Sequence, residues 1–404
     1  MARDEPAVLL LGSDFKALGV ARSLGRRGVR VGVVDSLPRS AWFSRHVGRR
    51  FRWRDDMLGP AFVDFLLELA RTSGTEGSVL WPAQDDALET VSREWHRLGS
   101  HYVLLTQPWE VIGSAHDKKL LHAAADEVGV PHPATWYPHD EQALGTLPIR
   151  FPAIIKPAVS IRMQRPLGRK ALAAQTMEQL IEAYRLARRV MPSGDLMVQE
   201  VIGGGMQSSV GAFADRGQVV SSMTARRTRQ FPIDYGLGSS FVEAIEVPEI
   251  VEPARKLIAR LGLSGMVEVE FIHDPTSGKP QLLDVNPRPW GWHTLCIACG
   301  LDFPWMEYGR ALGRPAPSLE PRYGPRWVRA LTDVPAGLQS IRAGRLTLSG
   351  YAGSLLSGKT VGSVWDWRDP LPAAGDLAVA AIRLSRALLQ RAALPRFRRW
   401  RTSP

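Results

Sequence analysis

The residue types best suited to catalysis lie on two short apolar segments that a turn joins. Glu270 lies in the run V-E-V-E-F-I and Asp284 in the run L-L-D-V-N-P-R, on either side of Pro275–Gly278. An antiparallel pair of strands would place the two carboxylates side by side on one face. Two such carboxylates repel each other unless a cation neutralises them, and oxygen ligands suit Mg²⁺. The spacing therefore predicts a magnesium site on this hairpin.

Asn286 and Arg288 extend the set at a period of two residues. Because side chains alternate between the faces of a strand, Asn286 lies on the same face as Asp284 and offers a third oxygen ligand. Arg288 can hold a phosphoryl group with two parallel hydrogen bonds. The alternative is an exposed hairpin with solvated acids, but the run D-V-N-P-R favours the metal site.

Two lysines are candidates for contact with the phosphates of a nucleotide. Lys156 ends the apolar strand F-P-A-I-I-K, where burying an ammonium is costly unless it meets an anion. A lysine that reaches from the strand end to solvent is an equal alternative. Lys118 lies in the first turn of the helix predicted at Asp117–Val128, where a cation opposes the helix dipole, so a bound phosphate would account for it.

A third candidate for nucleotide contact is the strand that ends before three consecutive glycines. Gln199, Glu200, Val201 and Ile202 can offer backbone N–H and C=O groups to the edge of an adenine ring. By itself this segment is weak evidence for a nucleotide.

The elements at the start of the chain predict an α/β fold. The first hundred residues alternate apolar strands with helical periods, which is typical of a parallel sheet. The turn after the first strand, GSDFKALG, lacks the GxGxxG pattern, so we expect a Rossmann-like scaffold without a dinucleotide site. We place the domain boundaries to give residues 1–114, 115–198, 199–312 and 313–404.

The order of four motifs resembles the ATP-grasp superfamily, which includes carbamoyl-phosphate synthetase, biotin carboxylase, D-alanine–D-alanine ligase and D-aspartate ligase. The motifs are DK…GVPHPAT, FPAIIKP, MVQEVIGG and VEVEFIHDPTSGKPQLLDVNPR, and the resemblance covers residues 1–312. It implies a pre-ATP-grasp domain, a small and a large lobe that together form an α+β fold, and a basic C-terminal extension in the four ranges above. It also implies ATP and two Mg²⁺ as cofactors, with Mn²⁺ as a substitute, and a carboxylate that passes through an acyl phosphate.

The resemblance assigns roles residue by residue. Lys118 and Lys156 match phosphate contacts, Gln199 and Glu200–Ile202 the adenine-binding linker, Glu270, Asp284 and Asn286 the metal ligands, and Arg288 the arginine that follows them. Two positions depart from the family pattern. Asp284 replaces a glutamate, and Gln207 replaces the glutamate that holds the ribose hydroxyls, so Gln207 would bind ribose without charge.

Other segments take roles from the same resemblance. The segment Ser160–Lys170, with Arg162, Arg165, Arg169 and Lys170, matches a flap over the phosphates or is a surface loop. In Ala225–Gly238, Arg227 and Arg229 are catalytic candidates for holding the phosphate or a carboxylate, or they lie on a solvated strand face.

The aromatic run R-P-W-G-W-H directly follows the metal motif. Trp290 and Trp292 are expected to pack in the core rather than wall a substrate pocket, and His293 is a conceivable base. Cys296 and Cys299, without a second pair, are expected to pack as well.

Charge and hydropathy give broader expectations. The net charge is +11, and seven arginines without an acid occupy Arg383–Arg401, so an anionic partner is expected. For the amphipathic segment Leu377–Ala393 we favour docking on the core, then peripheral contact with an anionic membrane; nucleic acid is the least favoured. The absence of signal-peptide features and of a long apolar stretch predicts the cytoplasm, with the inner membrane surface as an alternative location.

The sequence thus predicts an ATP- and Mg²⁺-dependent ligase. It would join a small-molecule or peptide carboxylate to an amine and release ADP and phosphate. The alternatives are an ATP-grasp kinase or carboxylase and a non-catalytic module that binds ATP or nucleic acid. Neither substrate nor an oligomeric state follows from the residues.

Overall fold

The chain builds three sheets, each with helices packed against it. A computed structural model of the protein describes residues 5–159, 171–234 and 238–393. The segment predicted to be a phosphate flap, Ser160–Lys170, lies outside the described residues. The sheets have five, four and seven strands and follow one another along the chain.

The first sheet is parallel, with the strand order β3-β2-β1-β4-β5. Its strands are β1 (Val8–Leu11), β2 (Val31–Asp35), β3 (Val47–Arg52), β4 (Val79–Pro82) and β5 (Val103–Leu104). Its helices are α1 (Phe15–Gly25), α2 (Pro60–Ser73), α3 (Asp85–Arg93) and α4 (Trp95–Gly99). The central strands are buried throughout, as their continuous apolar runs require. The chain adds strands on one side of β1 and then on the other, so a crevice forms at the carboxyl ends of β1 and β4.

The second sheet follows two connecting helices, α5 (Trp109–His116) and α6 (Lys118–Glu127). Its strands are β6 (Thr135–Trp136), β7 (Ala153–Pro157), β8 (Leu172–Ala174) and β9 (Leu196–Glu200), in the order β6-β9-β7-β8. Helix α7 (Met177–Val190) covers it, because Leu180, Tyr184 and Ala187 form one apolar stripe that is buried against the sheet. The Thr176 hydroxyl accepts a hydrogen bond from the backbone N–H of Gln179 and so caps the start of α7.

The third sheet carries the acidic hairpin at its edge. Its strands are β10 (Gln207–Asp215), β11 (Gln218–Phe231), β12 (Gly238–Ala244), β13 (Gly265–His273), β14 (Pro280–Asn286), β15 (Arg326–Val328) and β16 (Thr360–Gly362). Their order is β14-β13-β10-β11-β12-β15-β16. Helix α8 (Val251–Leu261) packs on one face through its apolar stripe. The predicted boundary at residue 313 needs correction, since β15 pairs with β12 and residues beyond 313 belong to this sheet.

The remaining helices are α9 (His293–Ala298), α10 (Phe303–Ala311), α11 (Ala330–Arg342), α12 (Leu348–Leu356) and α13 (Leu371–Ala393). The start of α13 docks on the first domain, where the Asp376 carboxylate accepts a 2.9 Å hydrogen bond from the Ser40 hydroxyl. Farther along α13, the side chains of Leu377 and Ile382 are 63% and 53% exposed. Within the described ranges, no helix has both the length and the apolar character needed to cross a membrane.

Candidate active site

The hairpin of β13 and β14 brings the predicted acids together. In the antiparallel register Glu270 lies directly opposite Asp284, and Glu268 lies opposite Asn286. An irregularity in the pairing follows Glu270 and leaves these two pairs on one continuous stretch. The alternation of apolar and acidic residues in V-E-V-E-F-I therefore turns both glutamates toward the same face.

Each predicted metal-binding acid is paired with a basic side chain. The Arg227 Nη2 atom donates a 2.6 Å hydrogen bond to Glu270 Oε2, and the Lys118 ammonium donates to Asp284 Oδ1. The Asn286 amide nitrogen lies 3.0 Å from Glu270 Oε1. Two carboxylates and an amide oxygen are the hard donors that Mg²⁺ prefers, so the residues fit this ion. Among the described residues, no three His, Cys, Asp or Glu side chains are grouped to hold a metal, and we expect phosphate oxygens to complete the coordination.

Glu268 is a member of this cluster that the sequence analysis did not identify. Its side chain is buried, and its two oxygens accept hydrogen bonds from the Trp292 indole N–H at 2.6 Å and from the Asn286 amide at 3.1 Å. Desolvation, together with the nearby charge of Glu270, raises the pKa of Glu268. The signal was present in the sequence, because Glu268 lies two residues before Glu270 on the same strand face.

The second sheet supplies the other predicted lysine. The Lys156 ammonium donates a 2.9 Å hydrogen bond to the Gln199 side-chain oxygen, and the Gln199 amide nitrogen donates to the Thr135 hydroxyl, also at 2.9 Å. Adjacent strands β7 and β9 hold Lys156 and Gln199 on one face of the sheet. Lys156 therefore lies on the same face of the second sheet as Gln199, the first residue of the predicted nucleotide linker.

The linker itself is anchored to the second sheet. The backbone N–H of Glu200 donates to Ala134 O at 3.0 Å, and that of Val201 donates to Pro152 O at 2.9 Å. The Glu200 carboxylate accepts a hydrogen bond from the backbone of Arg150. Val201 and Ile202 leave β9 half-buried, at the junction between the second and third sheets.

Arg227 connects the predicted ribose position to the acidic hairpin. Besides its bond to Glu270, its guanidinium donates to Gln207 Oε1 at 2.8 Å and to the Ser239 hydroxyl at 2.8 Å. Gln207 pairs with Arg227 in the β10–β11 register, so both lie beside the cluster. Burial lowers the pKa of Arg227, but the charges of Glu270 and Glu268 outweigh burial and raise it overall.

Arg229 is not part of this cluster, and its predicted catalytic role needs correction. Its guanidinium donates two hydrogen bonds of 2.8 Å to the buried carboxylate of Asp333 and one of 2.9 Å to the Ser354 hydroxyl. The pairing of β11 with β12 shifts between Arg227 and Arg229, so the two-residue spacing does not bring the two side chains to the same partners. Arg229 instead anchors α11 and α12 to the third sheet.

Arg288 lies between the hairpin and the first domain. Its Nη2 atom donates to Asn286 Oδ1 at 2.9 Å and to Asp85 Oδ2 at 3.0 Å, and its Nε atom donates to the other oxygen of Asp85. Desolvation raises the pKa of Asp85, but the charges of Arg288 and Lys16 outweigh desolvation and hold it well below its usual range. Asp85 is the first residue of α3.

The aromatic run after the hairpin is part of the core. The side chains of Trp290 and Trp292 are almost completely buried, which agrees with the packing interpretation. His293 is fully buried, donates a 2.8 Å hydrogen bond from Nδ1 to the backbone oxygen of Trp290, and packs on Gly19 of α1. Burial lowers the pKa of His293 to about 4. Its position rules out the suggested role as a base for an incoming amine. Cys296 and Cys299 are also buried.

Comparisons with known proteins relate this arrangement to one fold. A family model described as "ATP-grasp in the biosynthetic pathway with Ter operon" matches residues 193–334. The carbamoyl phosphate synthase large chain of Thermus thermophilus is 22% identical over 194 residues, which is 46% of this chain. The chain spans only 18% of the length of that relative.

Solved structures match more of the chain. Biotin carboxylase from Campylobacter jejuni, in complex with a nucleotide, has a TM-score of 0.64 at 16% identity, covering 78% of this chain and 72% of its own. L-amino acid ligase from Bacillus licheniformis has a TM-score of 0.58 at 15% identity, with 77% and 75% covered. These solved structures show that the chain has the ATP-grasp fold, and the family model matched over residues 193–334 supports the resemblance to the ATP-grasp superfamily that the motifs predicted.

Proposed function

We propose that the protein is an ATP-dependent ligase that activates a carboxylate as an acyl phosphate and transfers the acyl group to an amine. The observation that supports it most is the convergence of Glu270, Asp284 and Asn286 with the basic groups of Lys118 and Arg227. The acidic and basic side chains of this cluster neutralise one another. When a nucleotide binds with its ion, the ion would pair with the acidic side chains and the phosphates with the basic ones.

Each residue in the cluster has a role that its chemistry supports. Lys118 and Lys156 would hold phosphate oxygens, while the chain at Glu200–Ile202 would hold the base and Gln207 the ribose. Glu270, Asp284 and Asn286 would hold Mg²⁺, which supplies charge neutralisation at the transferring phosphoryl group. In this scheme the side chains contribute mainly by positioning the substrates and by neutralising charge.

The reaction balances in two steps. An oxygen of the substrate carboxylate attacks the γ-phosphorus of ATP, the bond from that phosphorus to the β–γ bridging oxygen breaks, and ADP leaves. The nitrogen of a neutral amine then attacks the acyl carbon, and inorganic phosphate leaves with the oxygen of the broken C–O bond. The amine loses a proton to solvent or phosphate. Among the described residues, the guanidiniums of Arg288 and Arg227 are the ones best placed to hold the phosphoryl group or the carboxylate.

The likeness to an L-amino acid ligase and the description of the matching family as biosynthetic favour an amine acceptor. A kinase or a carboxylase would use the same nucleotide site with another acceptor. A module that only binds ATP would have no need for the complete set of metal ligands, and this argues for catalysis.

The proposal is tested by trapping the acyl phosphate with hydroxylamine. Full-length protein, ATP and Mg²⁺ are incubated with a panel of carboxylic acids and amino acids, and hydroxamate and ADP are measured. We expect one class of carboxylate to give both products, and Asp284→Asn to lower them at least 100-fold. Glu252→Gln, an exposed acid on α8, is the matched control and should leave both unchanged. Bound ATP without ADP or hydroxamate for any carboxylate would support the binding-module alternative instead.

A further inference from the structure

One side of α13 is left uncovered by the described part of the chain. The other side packs on the first domain, where a Cβ atom added to Gly375 would lie 2.1 Å from the Phe43 ring and where Asp376 binds Ser40. The uncovered side carries exposed apolar residues at intervals of three or four, namely Leu371, Ala374, Leu377, Ala378, Ala381 and Ile382. Such spacing forms a continuous apolar stripe along a helix. The stripe begins at the first residue of α13 and runs for about three turns.

Two exposed indoles precede the helix. The side chains of Trp365 and Trp367 are 65% and 74% exposed. The loop that carries them is fixed to the first domain, because the Asp369 carboxylate accepts a 2.9 Å hydrogen bond from Arg22. An indole ring is apolar but carries a polar N–H group, so it is well suited to the boundary between water and a lipid phase. We call residues 365–368 and the apolar stripe of α13 together the terminal surface.

Arginine side chains border the terminal surface. Arg45 Nη1 donates a 3.2 Å hydrogen bond to the backbone oxygen of Arg368, in the loop of the two indoles. Arg50 Nε donates a 2.6 Å hydrogen bond to a backbone oxygen in the short helical turn Ser40–Phe43, on which α13 docks. Arg45, Arg50 and Arg368 are all exposed. Three guanidinium groups therefore lie where the terminal surface meets the first domain.

Two acids near the loop do not offset these charges, because each is paired with another arginine. Asp366 binds Arg26, and Asp369 binds Arg22. In the sequence, seven arginines and no acid follow between Arg383 and Arg401. The terminal surface is thus apolar with an excess of positive charge around it, and this combination favours an anionic partner.

The charge and the apolar side chains together select among the possible partners. A second copy of the chain, docked on the same surface, would bring two arginine-rich segments together, and their repulsion opposes such a dimer. A nucleic acid would match the charge but would leave the aliphatic stripe of α13 in water. An anionic lipid bilayer matches both features, because its headgroups attract arginines and its acyl chains accept the apolar side chains.

We infer that the terminal surface binds the face of an anionic lipid bilayer. The helix α13 lies in the plane of the interface, with Leu371, Leu377 and Ile382 toward the acyl chains and the indoles of Trp365 and Trp367 at the level of the headgroups. The bordering arginines pair with lipid phosphates. This inference goes beyond the proposed ligase reaction and does not depend on it.

The test is co-sedimentation of the full-length protein with vesicles of phosphatidylcholine, with and without phosphatidylglycerol. We expect the partition coefficient to be at least about 10-fold higher with the anionic lipid, since arginines near a bilayer are attracted to its headgroups. The double variant Leu377→Ser, Ile382→Ser keeps every charge but removes apolar side chains from the stripe, so its partition coefficient should fall at least about 10-fold. Leu186→Ser, at an exposed leucine of α7, is the matched control and should bind vesicles as the parent protein does.

Other results overturn the inference. If the double variant and the parent protein, both shown to be folded by thermal unfolding, partition equally, charge alone explains the binding and the apolar stripe has no part in it. Equal binding to the two lipid compositions, or no binding to either, also contradicts the inference. A dimer seen by sedimentation velocity in the parent protein but not in the double variant would assign the terminal surface to a second copy. Binding of a DNA duplex without binding of vesicles would assign the arginines to nucleic acid. The hydroxamate assay needs no vesicles, so the ligase proposal is tested separately.

Discussion

Arg288 on the metal hairpin and Asp85 at the start of α3 form a two-point ion pair, although 203 residues separate them in the chain. The carboxylate of Asp85 contacts both the Nε and Nη2 atoms of Arg288, which is the geometry with which an arginine binds a substrate carboxylate or a phosphate. An anion that binds Arg288 in the same way therefore competes with Asp85.

Replacement of Asp85 tests this competition. Asp85→Asn removes the charge that occupies Arg288, so we expect ATP to bind 3- to 30-fold more tightly, measured by titration with a fluorescent ATP analogue at constant Mg²⁺. The control Glu68→Gln, at an exposed position on α2, should leave ATP affinity unchanged. Weaker ATP binding in Asp85→Asn would mean that Asp85 supports the nucleotide site rather than competing for Arg288.

The metal site is tested by its dependence on magnesium. Glu270→Gln keeps the shape of the side chain and removes its charge, so we expect the Mg²⁺ concentration for half-maximal ATP binding to rise 10- to 100-fold. The measurement is a Mg²⁺ titration at fixed ATP, with Glu252→Gln on α8 as the control. An unchanged Mg²⁺ requirement in Glu270→Gln would contradict the assignment of the hairpin as the metal site.

Glu268 is predicted to position Asn286. Glu268→Gln can keep one hydrogen bond to Trp292 or Asn286, whereas Glu268→Ala leaves the buried indole N–H of Trp292 without a partner, at a cost of about 1–3 kcal/mol, and leaves the Asn286 amide only its contact with Glu270. We expect Ala to raise the Mg²⁺ requirement at least 5-fold more than Gln does and to lower the free energy of unfolding. Equal Mg²⁺ requirements for the two variants, both folded, would show that Glu268 acts only through packing.

Arg229 is predicted to stabilise the fold without contacting ATP. Arg229→Ala leaves the Asp333 carboxylate buried without its ion partner, so we expect the free energy of unfolding to fall by about 3–5 kcal/mol. Denaturant unfolding measures this, and the double variant Arg229→Ala, Asp333→Ala should recover part of the loss. At a temperature where the variant is folded, its ATP affinity should be unchanged; a large loss there would return Arg229 to the active site.

The pH dependence of stability follows from His293. Its pKa falls from 6.5 to about 4 on folding, so the unfolded chain binds a proton between these values that the folded protein does not. The contribution of His293 to the free energy of unfolding is therefore fully present above pH 6.5. It is lost as the pH falls toward 4, and the loss amounts to up to about 3 kcal/mol. Unfolding midpoints measured between pH 4 and 7 should vary less in His293→Asn than in the parent protein. Equal pH dependence in both would contradict this assignment.

Much of the candidate site could be predicted from the sequence, because it lies on strands whose pattern is local. Asp284 and Asn286 are two residues apart on one strand, and Glu270 lies opposite Asp284 on the other strand of the hairpin, so the local pattern places all three on one face. Lys118 could be assigned from its place at the start of a helix, and its contact with Asp284 is consistent with that assignment.

Other features depended on elements far apart in the chain. The short strands β15 and β16 have three residues each, too few to show a period, so the seven-stranded sheet was not visible in the sequence. The irregular pairing of β11 with β12 separated Arg229 from Arg227, and no local spacing signals such a shift.

The sequence by itself determined which side chains share the acidic hairpin and that this hairpin belongs to an ATP-grasp fold, since both are written in local spacing and motif order. Only the tertiary structure decided that Glu268 is buried beside Asn286 and that Asp85 occupies Arg288. Burial and long-range ion pairs arise when separate elements pack together, and the free energy of that packing depends on all the elements involved rather than on any one segment.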